Sequence, residues 1–218
     1  MSSNQSKREL LRQNRNQQKK RQRTTLILVG LAAVILILLL IFLPNMLFNL
    51  AKPGIPLGDP DAPVTVYEFS SYTCSHCYDF NANVAEDFYT KYVEPGKVYF
   101  VYVNLPSENE SSMLAAEASY CAADQDKFYE FKDQIFPYSA SGMTFTEADL
   151  TNFASMAGLD AGAFQTCMQS DKFATAFEKD INFARASGVT ATPTFLVNGT
   201  DLVTTNELDA TIEKYLAN

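Results

Sequence analysis

Two cysteines three residues apart, Cys74 and Cys77, enclose Ser75 and His76 shortly after the apolar run at residues 64–69. Side chains at positions i and i+3 of a helix share one face, so the two sulfurs can close into a disulfide. A sulfur at the N-terminus of such a helix faces unpaired N–H groups and the positive end of the helix dipole, which lower its pKa. The spacing therefore predicts a redox-active dithiol, with a pair of metal ligands or a chance spacing as the alternatives.

His76 is the single histidine of the chain. Its ring N–H or positive charge can stabilise a neighbouring thiolate and add to the effect of the helix end. A zinc site built on Cys74, His76 and Cys77 would lack a fourth ligand, since the sequence has no second CxxC and no His pair. A metal-binding or scaffold module is therefore the alternative from a different functional class.

Charge is distributed unevenly along the 218 residues. Residues 1–23 contain eight of the 17 Lys and Arg and one acid, so nine bases and 24 acids follow, a net charge of −15. A surface this acidic repels the phosphates of a nucleic-acid backbone and disfavours its binding, so we expect no nucleic-acid partner. The length allows one sizeable hydrophobic core.

A long uncharged segment follows the basic N-terminus. Residues 26–43 carry no charge, and as a helix they would span roughly 27 Å, close to the ~30 Å hydrocarbon core of a bilayer. We expect a basic cytoplasmic tail over residues 1–23 and an uncleaved transmembrane anchor over residues 24–48. A cleaved signal peptide is the alternative, but its apolar region would be shorter. The positive-inside rule then predicts that the rest of the chain lies on the outer face of the cytoplasmic membrane, where disulfides form.

The segment after the anchor is rich in residues that prevent helix formation. Residues 49–63 contain four prolines and two glycines, a composition that stays extended or turns. We expect this segment to be a linker that leads to one domain over residues 64–218.

The first part of this domain predicts a strand, a helix and a second strand, over residues 64–69, 74–92 and 97–103. Such a unit is typical of parallel pairing with a right-handed crossover, which places the start of the helix at the carboxyl end of the first strand. Apolar residues at helical spacing predict a helical stretch at about 111–187. The Asn198-Gly199 pair predicts a β-hairpin, and residues 207–216 predict a closing helix.

The order of these elements, with the Cys-Ser-His-Cys motif at a helix start, resembles the DsbA-like thiol:disulfide oxidoreductases of the thioredoxin superfamily. The most specific motifs are the runs at residues 69–77 (Phe-Ser-Ser-Tyr-Thr-Cys-Ser-His-Cys) and 188–195 (Gly-Val-Thr-Ala-Thr-Pro-Thr-Phe). The resemblance spans about residues 55–218 and is nearest to the membrane-anchored extracytoplasmic branch. It implies an α/β, thioredoxin-like fold with an inserted helical domain, preceded by one N-terminal transmembrane helix.

The resemblance also implies roles for three residues distant from the motif. Pro193 corresponds to a cis proline that lies against the dithiol, and Thr192 would offer backbone groups to a bound peptide. Glu68 corresponds to a buried acid that could shuttle the proton of Cys77, and its alternation with Val64 and Val66 favours burial. The alternative for Pro193 is an ordinary proline at the end of a strand, and the alternative for Glu68 is an exposed acid on an edge strand.

The resemblance implies a dithiol oxidase that introduces disulfides into unfolded exported proteins. No external cofactor and no metal are expected beyond the redox-active Cys74–Cys77 disulfide, and a quinone-linked membrane partner would reoxidise it. Many DsbA-like oxidases carry Pro-His where this chain has Ser75-His76, and we expect the retained histidine to set the oxidising direction. A disulfide reductase or isomerase of the same fold is the alternative.

Cys121 and Cys167 are the other two cysteines. Free thiols beside an oxidising site would be a liability, and both cysteines fall in the predicted helical stretch. We therefore expect them to form a structural disulfide, with two buried unpaired thiols as the alternative.

Overall fold

The computed structural model describes residues 53–139, 144–170, 172–173 and 176–217. The basic tail predicted over residues 1–23 and the anchor predicted over residues 24–48 lie outside these ranges. Within them, no helix combines the length and the apolar character that a membrane span requires.

Five strands form one mixed sheet in the order β1-β3-β2-β4-β5. Their bounds are β1 (Ile55–Leu57), β2 (Val64–Ser70), β3 (Val98–Asn104), β4 (Thr194–Val197) and β5 (Asp201–Val203). Strands β2 and β3 pair in parallel from Val64 opposite Val98 to Ser70 opposite Asn104, and the other neighbours pair antiparallel. The predicted parallel unit is confirmed, so the carboxyl ends of β2 and β3 meet at one edge of the sheet.

The helices of the described residues cover the sheet and form the insertion. They are α1 (Ser75–Asn83), α2 (Ala85–Phe88), a π-helix (Tyr89–Val93), α3 (Glu110–Ala123), α4 (Phe128–Ser139), α5 (Glu147–Met156), α6 (Ala161–Met168), α7 (Ala176–Ala186) and α8 (Thr205–Leu216). Helices α3 to α7 lie between β3 and β4 in the chain, close to the predicted helical stretch at about 111–187. The domain is therefore a thioredoxin-like α/β fold with a helical insertion.

The continuous helix predicted over residues 74–92 is wrong. Val84 has φ −128° and ψ −36°, outside the helical region, and divides the segment into α1 and α2. Its β-branched side chain is a weak helix former. The break and the following π-helix bring Phe88 and Tyr92 into the core, where both are buried.

The segment predicted as a linker over residues 49–63 contains the edge strand β1. Gly54 precedes it with φ 76°, and a Cβ there would lie 2.4 Å from the Tyr102 carbonyl oxygen, so only glycine fits. Pro56 sits inside β1, opposite Val101. An edge strand tolerates proline because one side of it needs no ladder hydrogen bond, although proline obscures the strand in the sequence.

The sheet separates two hydrophobic clusters. The larger one packs α1, α2, α8 and the first helices of the insertion against one face, around residues such as Val66, Phe80 and Phe100. The smaller one joins Phe69 and Leu196 to helix α7 on the other face. The period-2 alternation of β2 thus directs Val64, Val66 and Glu68 to the face of the sheet that the larger cluster covers.

A disulfide joins helix α3 to helix α6 in the insertion. Cys121 and Cys167 are bonded, with their Cα atoms 5.8 Å apart, and the buried Cys121 packs in the larger cluster. The Asn198-Gly199 hairpin is also as predicted, with φ values of 48° and 71° between β4 and β5.

We predict that the double variant Cys121→Ala/Cys167→Ala folds but is less stable. Its bridge closes a loop with a sequence separation of 46, and the chain-entropy model gives a loss of about 4 kcal/mol at most. Urea unfolding of the wild type and the variant at pH 7 measures this loss, and alkylation of Cys74 in both serves as the control for an intact site. An unchanged free energy of unfolding would contradict a structural role for the bridge.

Candidate active site

Cys74 lies at the junction between β2 and α1. It is the N-cap residue of α1, with extended φ −97° and ψ 121°. Its N–H donates to the Ser71 carbonyl at 3.1 Å, and its carbonyl accepts from the Tyr78 N–H at 3.1 Å. The sulfur therefore occupies the helix N-terminus, where free N–H groups and the helix dipole favour a negative charge.

Cys77 lies one turn further along α1, and both cysteines are free thiols in this structure. Cys77 is fully buried, whereas Cys74 is half-buried. The two sulfurs are thus brought together by helix geometry and placed in different environments. A sulfur atom of another protein has access to Cys74 rather than to Cys77.

The thiol of Cys77 is the main cause of the low pKa of Cys74. It donates a hydrogen bond to the Cys74 sulfur, and partial burial opposes this effect. The side chain of Thr192 and the N–H groups of Cys77 and His76 lower the pKa further, to about 5. Because its pKa is about 5, Cys74 is a thiolate at neutral pH. The protonated thiol, which is present at lower pH, donates to the Thr192 carbonyl oxygen, 3.4 Å from the Cys74 Sγ.

The pKa of Cys77 moves in the opposite direction. Its hydrogen bond to Cys74 raises the pKa most, and burial raises it further, as does the charge of Glu68. The hydroxyl of Ser70 lowers it, but by less. The reduced pair therefore holds one proton, and that proton resides on Cys77.

Glu68 lies in β2, on the face of the sheet that also carries Val64 and Val66, and it is 2% exposed. Burial raises the pKa of its carboxyl to about 7, against the opposing effects of the Lys132 charge and the Ser70 hydroxyl. A carboxyl with such a pKa is protonated in part of the molecules at neutral pH, so it can give or take a proton beside Cys77.

His76 points away from the sulfurs. Its side chain is 80% exposed, and its Nδ1 lies 3.7 Å from Asp79 Oδ2. Its contribution to the low pKa of Cys74 comes through the backbone N–H. The imidazole we expected beside the thiolate therefore faces solvent, as does Ser75, the first residue of α1. An effect of the ring on Cys74 stays a prediction, limited to long-range electrostatics.

Thr192 and Pro193 form one wall of a groove beside the dithiol. The peptide bond between them is cis. The groove has a volume of about 500 Å³ and is further lined by residues such as His76, Phe80 and Thr204. The structure thus brings together the cysteine motif and the proline-containing run at residues 188–195, which are more than 110 positions apart.

A network of hydroxyl groups holds the loop before Cys74. The Oγ1 of Thr73 lies 3.2 Å from Ser71 Oγ, 3.1 Å from Ser107 Oγ and 3.4 Å from Ser112 Oγ. Ser107 lies in the loop before α3 and Ser112 in the first turn of that helix, 34 and 39 residues further along the chain. Sequence reasoning missed this network because isolated Ser and Thr residues carry no periodic pattern.

Lys132 in α4 is a second residue that sequence reasoning missed, and it is 2% exposed. It occupies the apolar stripe of α4 together with Phe128, Phe131, Ile135 and Phe136, all buried. A lysine at helical spacing among buried aromatic residues was the available signal. Among the described residues, no group of three or more His, Cys, Asp or Glu side chains is arranged to hold a metal ion.

We predict that alkylation of the reduced protein modifies Cys74 and follows the titration of its thiol. The rate with iodoacetamide should rise with pH around a midpoint near 5, since only the thiolate attacks. Mass spectrometry of the adduct identifies the modified sulfur. In the control Cys77→Ala the midpoint should move upward, because the strongest hydrogen bond to Cys74 is lost. Preferential labelling of Cys77, or an equal midpoint in both proteins, would refute this assignment.

Comparisons with known proteins agree with this fold and motif. The Thioredoxin family model matches residues 51–214. Disulfide bond formation protein D of Bacillus subtilis is 32% identical over 170 residues, which are 73% of this chain and 76% of that protein. The Na(+)/H(+) antiporter NhaA 3 of Salinispora tropica is 31% identical over 144 residues, 65% of this chain but 21% of that protein. This second match therefore concerns a minor part of a much longer protein.

Solved structures show the same similarity. The crystal structure of oxidised BdbD from Bacillus subtilis has a TM-score of 0.65 and 29% identity, over 77% of this chain and 94% of that chain. Wolbachia pipientis alpha-DsbA1 has a TM-score of 0.61 and 25% identity, over 74% of this chain and 90% of that chain. The chain belongs to the DsbA-like thiol:disulfide oxidoreductases of the thioredoxin superfamily, enzymes whose reacting group is a protein disulfide rather than an external cofactor.

Proposed function

We propose that this chain is a dithiol oxidase that introduces disulfides into exported proteins through Cys74 and Cys77. The observation that supports this direction is the difference between the two sulfurs. The pKa of Cys74 is lowered to about 5 while the pKa of Cys77 is raised. A stabilised thiolate favours the reduced pair over the disulfide, which makes the disulfide a strong oxidant.

The first step is attack by a substrate thiolate on the Cys74 sulfur of the oxidised pair. A bond forms between the substrate sulfur and Cys74, and the Cys74–Cys77 bond breaks. Cys77 leaves as a thiolate and takes up a proton, as its raised pKa requires. The carboxyl of Glu68, with a pKa of about 7, is the group that supplies this proton.

The second step releases the oxidised substrate. A second thiolate of the substrate attacks the substrate sulfur of the mixed disulfide, and Cys74 leaves as a thiolate. A thiol of low pKa leaves faster, so the environment that stabilises Cys74 also favours release. Two substrate thiols have then become one disulfide, and the enzyme holds two electrons in the reduced pair.

The groove beside the dithiol provides a place for the substrate chain. Thr192 and Pro193 form its wall next to Cys74, and its volume of about 500 Å³ suits a short polypeptide segment. Backbone groups of Thr192 would pair with the substrate backbone, a mode of recognition that is independent of side-chain sequence. Such recognition suits an enzyme that acts on many unfolded proteins.

We place the catalytic domain on the outer face of the cytoplasmic membrane, with the N-terminus inside. Support comes from the uncharged segment at residues 26–43 with its basic flank, and from the Cys121–Cys167 disulfide, which suits an oxidising compartment. A quinone-linked membrane protein would accept the two electrons of the reduced pair and restore the Cys74–Cys77 disulfide. The relative from Bacillus subtilis carries the name disulfide bond formation protein D.

The test of the proposed direction is the redox potential of the Cys74–Cys77 pair, measured by equilibration with glutathione. We expect a value well above the roughly −270 mV of thioredoxin and towards the about −120 mV of DsbA. In His76→Leu the exposed ring is lost, and we expect a decrease smaller than about 30 mV. A wild-type potential near that of thioredoxin would favour the reductase or isomerase alternative. A larger decrease in His76→Leu would show that the ring acts on the thiolate more strongly than its position indicates.

A further inference from the structure

The groove beside the dithiol runs along one face of helix α1. Its first wall consists of residues spaced as on a single helix face: His76, Asp79, Phe80, Asn83 and Val84. Thr192, Pro193 and residues 204–206 at the start of α8 form the opposite wall. Helix α1 rises by about 10 Å from the first of these residues to the last turn, so the groove accommodates roughly three residues of an extended chain.

Asp79 places a carboxylate on the α1 wall of this groove. Its side chain is 63% exposed, and its Oδ2 lies 3.7 Å from the Nδ1 of His76. An exposed pair of this kind contributes little free energy, so it does not prevent Asp79 from pairing with another cation. Among the described residues that line the groove, none is a lysine or an arginine. The groove therefore offers an acid and lacks a base of its own.

A second carboxylate lies behind the opposite wall. The Oε2 of Glu207 accepts from the Thr204 N–H at 3.0 Å and from the Thr204 hydroxyl at 2.8 Å. These hydrogen bonds lower the pKa of the Glu207 carboxyl, which is therefore negatively charged at neutral pH. Because Thr204 lines the groove, a ligand in the groove has negative charge on both sides.

Apolar side chains lie beside these charges. Phe80 and Val84 line the groove next to Asp79 along α1, and Pro193 lies on the other wall. Lysine and arginine pack their methylene groups on apolar surface while the charged end reaches a polar partner. An acidic side chain has a shorter apolar stem and would meet two carboxylates. The lining thus matches a basic side chain in both shape and charge.

We propose that Asp79, with Glu207, makes the enzyme select substrate cysteines that have a lysine or arginine about two residues away. The mixed disulfide forms at Cys74, and α1 rises by about 7.5 Å from there to Asp79, which is roughly two residues of an extended chain. A basic side chain at this position meets the Asp79 carboxylate, whereas an acidic one is repelled. The inference rests on the proposed function for the nature of the substrate, and it changes no step of the sulfur chemistry.

Reaction of the oxidised full-length protein with cysteine peptides tests this preference. The peptides carry one cysteine and either two lysines or two glutamates, placed two residues before and two residues after it. At pH 8, lysine is charged and ordinary histidine side chains are neutral. Samples quenched with acid are analysed by mass spectrometry for the mixed disulfide with Cys74. Each rate is divided by that of the same peptide with 2-hydroxyethyl disulfide, because a neighbouring lysine also lowers the pKa of the peptide thiol.

We expect the normalised rate of the lysine peptide to exceed that of the glutamate peptide by roughly 5-fold at low salt, the scale of an exposed ion pair. In about 1 M salt the ratio should approach 1, since the charges are screened. Peptides whose charges are moved six residues away from the cysteine, beyond the groove, should show no preference in the wild type.

Matched variants assign the preference to the two carboxylates. In Asp79→Asn the ratio should fall by at least half, and in Asp79→Asn/Glu207→Gln it should be close to 1. Glutamine retains the capping box that Glu207 forms with Thr204 at the start of α8. The control Asp61→Asn removes a charge from the exposed turn before β2, at the sheet edge opposite to Cys74, and the ratio should not change.

Equal normalised rates for the two peptides, or a preference that survives in the double variant, would overturn the inference. Both results would leave the proposed direction intact, because the redox potential decides that direction and the preference is a ratio of rates. If neither peptide attacks the Cys74–Cys77 disulfide, the proposed function itself is contradicted, and the inference with it.

Discussion

The unequal surroundings of two sulfurs on one helix turn are the constraint on which this structure depends. Cys74 caps α1, where backbone N–H groups and the Cys77 thiol stabilise a negative charge, while Cys77 is buried one turn further on. This arrangement requires the helix to begin where β2 ends, at the carboxyl edge of the sheet. The antiparallel pairing of β4 with β2, in which Thr194 lies opposite Phe69, brings Thr192 to that same edge, where its carbonyl oxygen lies 3.4 Å from the Cys74 sulfur.

Buried polar groups connect this edge to the insertion. Glu68 and Lys132 are both 2% exposed, so the core beneath the dithiol contains an acid and a base where most domains have only apolar side chains. A second buried acid, Asp180 in α7, accepts from the backbone N–H groups of Gly54 and Asn104 and from the Tyr120 hydroxyl. It thereby ties the start of β1 and the end of β3 to the insertion. The inserted helices are thus part of the support of the active site.

Local patterns predicted the parts of the molecule that depend on neighbouring residues in sequence. The helix start at Ser75, the hairpin at Asn198 and Gly199, and the burial of Glu68 follow from short-range spacing, and the structure has all three. Strand β1 was missed because its pairing depends on the close approach of Gly54 to Tyr102, a contact across 48 positions.

Side-chain direction was the other limit of sequence reasoning. The helix position of His76 was predicted, but a residue in the first turn of a helix can face the sulfurs or solvent, and the ring lies towards Asp79. The break at Val84 likewise depends on how Phe88 and Tyr92 enter the core. Lys132 was missed because its burial depends on partners from other elements, such as Asn81 of α1, which the sequence does not place beside it.

The central claim is that the fold stabilises the Cys74 thiolate and therefore prefers the reduced pair. The most direct measurement is the free energy of unfolding by urea with the Cys74–Cys77 pair reduced and with it oxidised, the Cys121–Cys167 bridge remaining intact. The folded pKa of Cys74, about 5, is below that of an unfolded thiol, about 8.5, so the reduced form gains stability as pH rises between these values and loses it as pH falls through 5. We predict that the reduced form is the more stable one at pH 7 and that the difference shrinks towards pH 5. An oxidised form that is more stable at pH 7, with a difference independent of pH, would contradict the account.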